Sequence, residues 1–247
     1  MPDTDLDPVR FAGLVAPAID RAFRSAIDAP RHRGGRELVQ AYGGAEAIGL
    51  MIDLRNVLSA GRPIGPELIA ISPYQYRDPD DVPRALARSA SAGLLDSAGD
   101  DRYVASERGR SFLLDLTEQH ASVLGDRWAS HGERVDRLTR LVGRVLRAAE
   151  ESGGPGWAVY SPVHEPADTP VSVLLLNRLQ LLRHHRADAH TKAWRTAGLT
   201  AHEIVALPAG PRRDAIEHDT NVRAAAPYAE LGPSDRLQLL ADLAGIP

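Results

Sequence analysis

Between positions 183 and 190 the chain reads Arg183-His184-His185-Arg186-Ala187-Asp188-Ala189-His190, with Trp194 and Arg195 close behind. Three imidazoles, a carboxylate and guanidinium groups in one short stretch are the strongest chemical signal in the sequence. At about 100° per residue on a helix, His184 and Asp188 share a face, and His185 lies one turn before Asp188 on the adjoining side. A carboxylate beside an imidazole fixes its tautomer and raises its basicity, as a general base or a metal ligand requires. His185 and Asp188 are therefore the expected base and orienter, with His184 or His190 as a second proton carrier and Arg186 as an anion clamp. His190 points instead toward the side of Arg186 and Trp194. Two histidines and an aspartate also begin a metal set, with His164, Glu165, Glu217 and His218 as further candidates. The spacing H-x3-D lacks the discriminating power of H-E-x-x-H, and no metal is assigned. The competing interpretation is a group of partly buried polar side chains that satisfy one another.

These residues need a long helix to carry them. Residues 171–197 supply one, about 40 Å long at roughly 1.5 Å per residue. Its first half, with Val173, Leu174, Leu175, Leu176, Leu179, Leu181 and Leu182, is apolar nearly all round and should be enclosed by neighbours. Gly198 is placed to stop it, and Thr200 with Glu203 forms a capping box for the next helix. Further along, Asp219-Thr220-Asn221 are poor helix formers within a helical segment, which makes Asn221 a candidate ligand contact.

Upstream, residues 7–27 form an amphipathic helix that contains Pro17, and residues 37–58 another, loosened by Gly43-Gly44. Residues 111–151 make one long helix or two, ended by Gly153-Gly154-Pro155-Gly156. A Pro- and Gly-rich linker, 153–170, separates residues 1–152 from a C-terminal helical domain, 171–247. The expected class is mainly α, with one small β-hairpin.

The hairpin belongs to residues 63–115. A short helix enters through Pro66, Ser72-Pro73-Tyr74-Gln75-Tyr76 breaks it, and a second helix opens on Asp78, Asp80 and Asp81. There follow Gly93-Leu94-Leu95, a polar turn over 96–101, the strand Arg102-Tyr103-Val104-Ala105 and a helix start at Ser106-Glu107-Arg108-Gly109-Arg110. This order resembles the winged helices of MarR-type regulators and the N-terminal dimerisation domains of small-molecule O-methyltransferases. The segment LLRHHRADAHTKAWRTAGLTAHE, with ARSASAGLLDSAGDDRYVASERGR before it, resembles actinobacterial helix-turn-helix proteins of undefined role that carry an LRxHRxDxH helix. In that pattern His185, Arg186, Asp188 and His190 hold the shared positions, and the resemblance implies a helical scaffold with a pocket near them. Tyr74 and Tyr76 are candidates to line such a pocket, as is Trp194.

Charge argues against the use winged helices usually serve. A recognition helix works by neutralising phosphates, yet the second helix starts on three aspartates, and the turn adds Asp96, Asp100 and Asp101. Net charge is −4, so duplex DNA is not expected on this element. The chain has no cysteine, which excludes disulfides and thiolate chemistry. There is no G-x-G-x-x-G after a strand, no P-loop and no G-x-S-x-G elbow, and no cofactor is indicated. No apolar run approaches the roughly 20 residues of a membrane span. The acidic start Met1-Pro2-Asp3-Thr4-Asp5 is unlike a secretory signal, and a cytoplasmic location is expected.

The expected function is binding of a small organic molecule between the winged module and the long helix, extending to natural-product chemistry by His/Asp acid/base catalysis in a homodimer. The alternatives are a ligand-responsive transcription regulator, with the arginines between positions 127 and 147 as its basic surface, and a partner-binding scaffold without a pocket.

Overall fold

A computed structural model of the protein describes residues 6–247; the acidic run at positions 1–5 lies outside the described residues. Twelve α-helices and one two-stranded antiparallel sheet are present among the described residues, so the protein is mainly α.

Helix α1 (Pro8–Asp28) begins where Asp7 accepts hydrogen bonds from the amides of Val9 and Arg10 at 2.9 and 3.0 Å, with Pro8 just inside. It continues through Pro17. A proline there has no amide, so the carbonyl of Gly13 loses its helical donor. The stretch 37–58 is not one helix but parts of three: α2 (Gly35–Ala41), α3 (Ala45–Asp53) and α4 (Arg55–Ser59). Gly43 and Gly44 both adopt positive φ, 104° and 85°, which no right-handed helix can pass through.

Helix α5 (Asp81–Ser91) leads into the hairpin of β1 (Leu95–Ser97) and β2 (Tyr103–Ala105), in register Leu95 to Ala105. Ser106 caps α6 (Glu107–Arg127) by accepting from the Gly109 amide at 3.0 Å. A break at Trp128 separates it from α7 (Gly132–Ala149). The segment expected as a linker contains a helix of its own, α8 (Pro155–Tyr160), which buries Trp157 and Tyr160. The rest is α9 (Val171–Thr196), α10 (Ala201–Ala206) with the expected Thr200/Glu203 capping box, α11 (Pro211–Ala224) and α12 (Pro233–Ala244).

Helix α9 is the axis of the molecule, with α1, α6, α7, α8 and α11 packed around it. That is what its apolar first half requires: Leu175, Leu176 and Leu179 are at most 1% exposed. Cutting one such leucine to alanine removes roughly 2–5 kcal/mol. A single hydrophobic cluster runs from Phe11 through Trp157 and Leu179 to Ile246. Residues on both sides of the 153–170 segment share it. A second, small cluster gathers Trp194, Leu199, Ile204 and Ile216 at the far end of α9.

Candidate functional site

Where α9 turns polar, its side chains divide between two faces. One meets α8. His184 stacks flat on Tyr160, centroids 3.7 Å apart at 14°. His185 sets its ring edge-to-face against Trp157, and its Nε2 lies 2.9 Å from Ser152 Oγ. Asp188 receives two backbone hydrogen bonds, Gly156 N to Oδ1 at 2.9 Å and Trp157 N to Oδ2 at 2.7 Å. Gly154, the residue in the capping position of α8, has no side chain to offer. Asp188 supplies the missing carboxylate from another helix and meets the partial positive charge at the start of α8. The glycines make this possible: a Cβ on Gly154 would sit 2.7 Å from Asp188 Cβ, and one on Gly156 2.8 Å from its Oδ1.

The expected base and orienter are therefore not joined. His185 and Asp188 share the α8 face, but each has a different partner, and no hydrogen bond links them among the described residues. Burial pushes His185 down to about 4, and burial with the nearby Arg183 and Arg55 charges pushes His184 down to about 3. Both stay neutral at ordinary pH, so His184 is unsuited to carry protons. Burial raises the Asp188 carboxyl more than the amides of Trp157, Gly156 and Gly154 lower it.

The other face opens on a cleft of about 550 Å³ between α1, the loop at Ser72 and Pro73, α9 and α11. Arg183, Arg186, Ala187 and His190 point to it from α9, at helical spacing, with the edge of His184. From α11 come Glu217 and Asn221. Arg186 donates to Asn221 Oδ1 at 2.9 Å and approaches Glu217 Oε2 at 3.4 Å. Arg183 grips Asp20 Oδ1 at 2.6 Å and lies over the Phe23 ring. Burial alone would raise Asp20, but Arg183 and Arg24 outweigh it and hold the carboxyl below its usual range.

His190 has a defined tautomer. Its Nδ1 is 3.1 Å from Thr220 Oγ1, and that hydroxyl donates its only proton to the Ile216 carbonyl at 2.8 Å. The imidazole must then donate from Nδ1, which leaves Nε2 with a free lone pair. Gly13 also lines the cleft, and Pro17 withholds the helical amide that its carbonyl would otherwise receive. A Cβ on Gly13 would meet Asn221 Nδ2 at 2.8 Å, so the glycine lets α1 approach α11.

The remaining sequence candidates lie elsewhere. Tyr76 accepts from Trp194 Nε1 at 3.2 Å within the small second cluster. Neither borders the cleft, and the two act as a staple between the 74–76 turn and α9. Tyr74 donates to Asp53 Oδ2 at 3.3 Å. Glu165 is held by Arg178 at 2.6 and 2.7 Å. Among the described residues no group of three or more metal-ligating side chains is placed to hold an ion.

A buried polar layer went unread. Arg55 Nη2 donates to Asn177 Oδ1 at 3.1 Å, Asn56 to Gln180 Oε1 at 3.2 Å, and Gln180 Nε2 to the Asp53 carbonyl at 2.7 Å. Burial pushes Arg55 down to about 10. The available signal was Asn177 and Gln180 within the most apolar helix, opposite Asp53, Arg55 and Asn56 in an otherwise apolar run. No protein-family model, curated protein or solved structure matches the chain.

Proposed function

We propose that the protein binds a small polar organic molecule in the cleft between α1, α9 and α11, on a scaffold of winged-helix type. The observation that carries this reading is one cavity of about 550 Å³ bordered by His184, Arg186, His190 and Asn221. Binding pockets for organic molecules span roughly 300–1,000 Å³ and combine apolar walls with a few convergent polar groups. Arg186 is the partner for an acidic group, since its 3.4 Å contact to Glu217 is long enough for a ligand carboxylate to replace. His190 Nε2 and the Gly13 carbonyl accept from ligand donors. Among the cleft's imidazoles, His190 is the one placed for proton transfer, which is the acid/base chemistry open to such a site. The scaffold reading rests on the succession α5, hairpin, α6 with its Ser106 cap.

Native mass spectrometry of freshly purified protein is the direct test. A retained small molecule, lost in Arg186→Ala while the far-ultraviolet dichroism stays unchanged, is the expected result. A wild type with no adduct, and no thermal shift with benzoate or other small carboxylates, would overturn it.

A regulator would need a basic surface, and four of the six arginines from Arg127 to Arg147 are engaged. Arg127 bonds Ser25 Oγ, Arg134 the Gly245 carbonyl, Arg137 both oxygens of Asp242, and Arg144 Asp235. They fasten α12 and the C-terminus to the body. At the start of α5, Arg84 lies within 4 Å of Asp78, Asp80 and Asp81, so its charge is already matched. Random duplex DNA should therefore give no salt-sensitive band shift at submicromolar protein.

A further inference from the structure

A second and larger cavity, about 790 Å³, lies on the other side of the molecule between α2, α3, α5 and α6. It shares no lining residue with the α9 cleft. Its walls are apolar: Ile48, Val82, Phe112 and Leu116 are all buried and border it. Arg31, Arg36, Arg77 and Arg88 also border it, but the buried side-chain atoms on it that lack a partner are acceptors. Asp53 contributes a carboxylate that accepts from Tyr74 at a long 3.3 Å, with the Arg77 charge nearby. Gln119 Oε1 is buried without a hydrogen bond, and so is His120 Nε2.

The His120 ring explains its own deficit. It is 3% exposed, and Nδ1 lies 2.8 Å from the Leu116 carbonyl, to which it must donate. Nε2 is then left with a lone pair and no donor. Burial and the Arg55 charge push His120 down to about 4, so the ring is neutral at ordinary pH. Leaving a buried acceptor unmade is costly. Two such acceptors and a sparsely paired carboxylate on one cavity call for hydrogen-bond donors from outside the chain.

We infer that this cavity is a binding site for a hydrophobic molecule ending in a hydrogen-bond donor, an alcohol or an amine, whose head group reaches His120, Gln119 and Asp53. Apolar walls take the body of the ligand and the acceptors orient its head. The site is separate from the α9 cleft, with which it shares no lining residue.

Three probes with one skeleton test it by their own fluorescence: 2-(2-naphthyl)ethanol, 2-(2-naphthyl)ethylamine and the methyl ether of the alcohol. The alcohol and the amine should bind at least tenfold more tightly than the ether. His120→Leu should erase most of that preference while leaving ether affinity within about threefold. Gly49→Phe should block all three, because Gly49 borders the cavity and a Cβ there meets nothing within 4 Å; replacing a helical glycine also favours folding. Arg186→Ala should leave all three affinities unchanged. Equal affinity for ether and alcohol, an unchanged preference in His120→Leu, or no binding by the wild type would each overturn the inference. If Gly49→Phe fails to fold, the His120→Leu comparison decides.

Discussion

The two faces of α9 between Arg183 and His190 are built from the same residue types and have opposite fates. Toward α8, His185 and Asp188 find their partners within the chain, a serine and two backbone amides, while His184 lies stacked on Tyr160 and reaches the border of the cleft. Toward the cleft, Arg186 and His190 are only partly engaged, and Nε2 of His190 is left with a lone pair. A helix rotates about 100° per residue, so neighbours in sequence look in different directions. What separates a structural group from a ligand-binding one here is how completely its partners are supplied by the chain. The α8 face is complete and the cleft face is not.

The largest expected effect breaks the complete face. Asp188→Ala removes a carboxylate from two buried amides, and hydrogen bonds to a charged group contribute about 1.5–3 kcal/mol each. A loss of roughly 2–4 kcal/mol is expected by urea denaturation, with Asp188→Asn milder because it keeps an acceptor oxygen. Binding in the cleft should survive under conditions where the variant is folded. An unchanged urea midpoint with abolished ligand binding would reverse the assignment of the two faces.

Acid sharpens the same contrast. His184, His185 and His120 are held at about 3, 4 and 4, against 6.5 when exposed. Between those values the unfolded chain binds more protons than the folded one, so stability is fully present above about 6.5 and falls as pH drops toward 4. Each histidine contributes up to about 1.4 kcal/mol per pH unit. Replacing His185 with Gln should reduce the slope of stability against pH by the share of one histidine. A slope identical to wild type would show that His185 titrates freely.

Arg186→Ala probes the incomplete face. Loss of the Asn221 contact should lower stability by about 1 kcal/mol, within the range for one hydrogen bond, while affinity for an acidic ligand falls at least tenfold. A stability loss as large as that of Asp188→Ala, with no change in binding, would make Arg186 a structural strut.

Much of the frame was legible beforehand because it is local. The Asp7 start of α1, the Ser106 start of α6 and the Thr200/Glu203 box each depend on a few adjacent residues. The enclosure of α9 followed from leucines on all its sides. What could not be read depends on residues far apart in the chain. Gly153-Gly154-Pro155-Gly156 reads as a helix stop, and it is one, but the approach of Asp188 more than thirty residues later gives it a second purpose. The order of residues shows that His185 and Asp188 can share a face; it does not show that Ser152 and the α8 amides reach them first. His120 sits on an apolar stripe, where a histidine gives no local sign that one of its nitrogens lacks a partner.

The smallest effect tests the tautomer of His190. Thr220 is fully buried, and its hydroxyl passes its proton to Ile216 and accepts from His190 Nδ1. Thr220→Val keeps the shape but removes the acceptor. The Ile216 carbonyl still has its helical amide, so the stability cost should stay below about 1 kcal/mol. The imidazole, however, loses the contact that keeps its proton on Nδ1. Long-range proton–nitrogen NMR spectra should show the Nδ1–H form in the wild type and in Thr220→Ser, and a shift toward Nε2–H in Thr220→Val. That shift would take the free lone pair from the cleft and weaken a ligand donor bound there, with no change on the α8 face. A wild-type ring already protonated at Nε2 would mean that the cleft is offered a donor, and the ligand would then have to supply the acceptor.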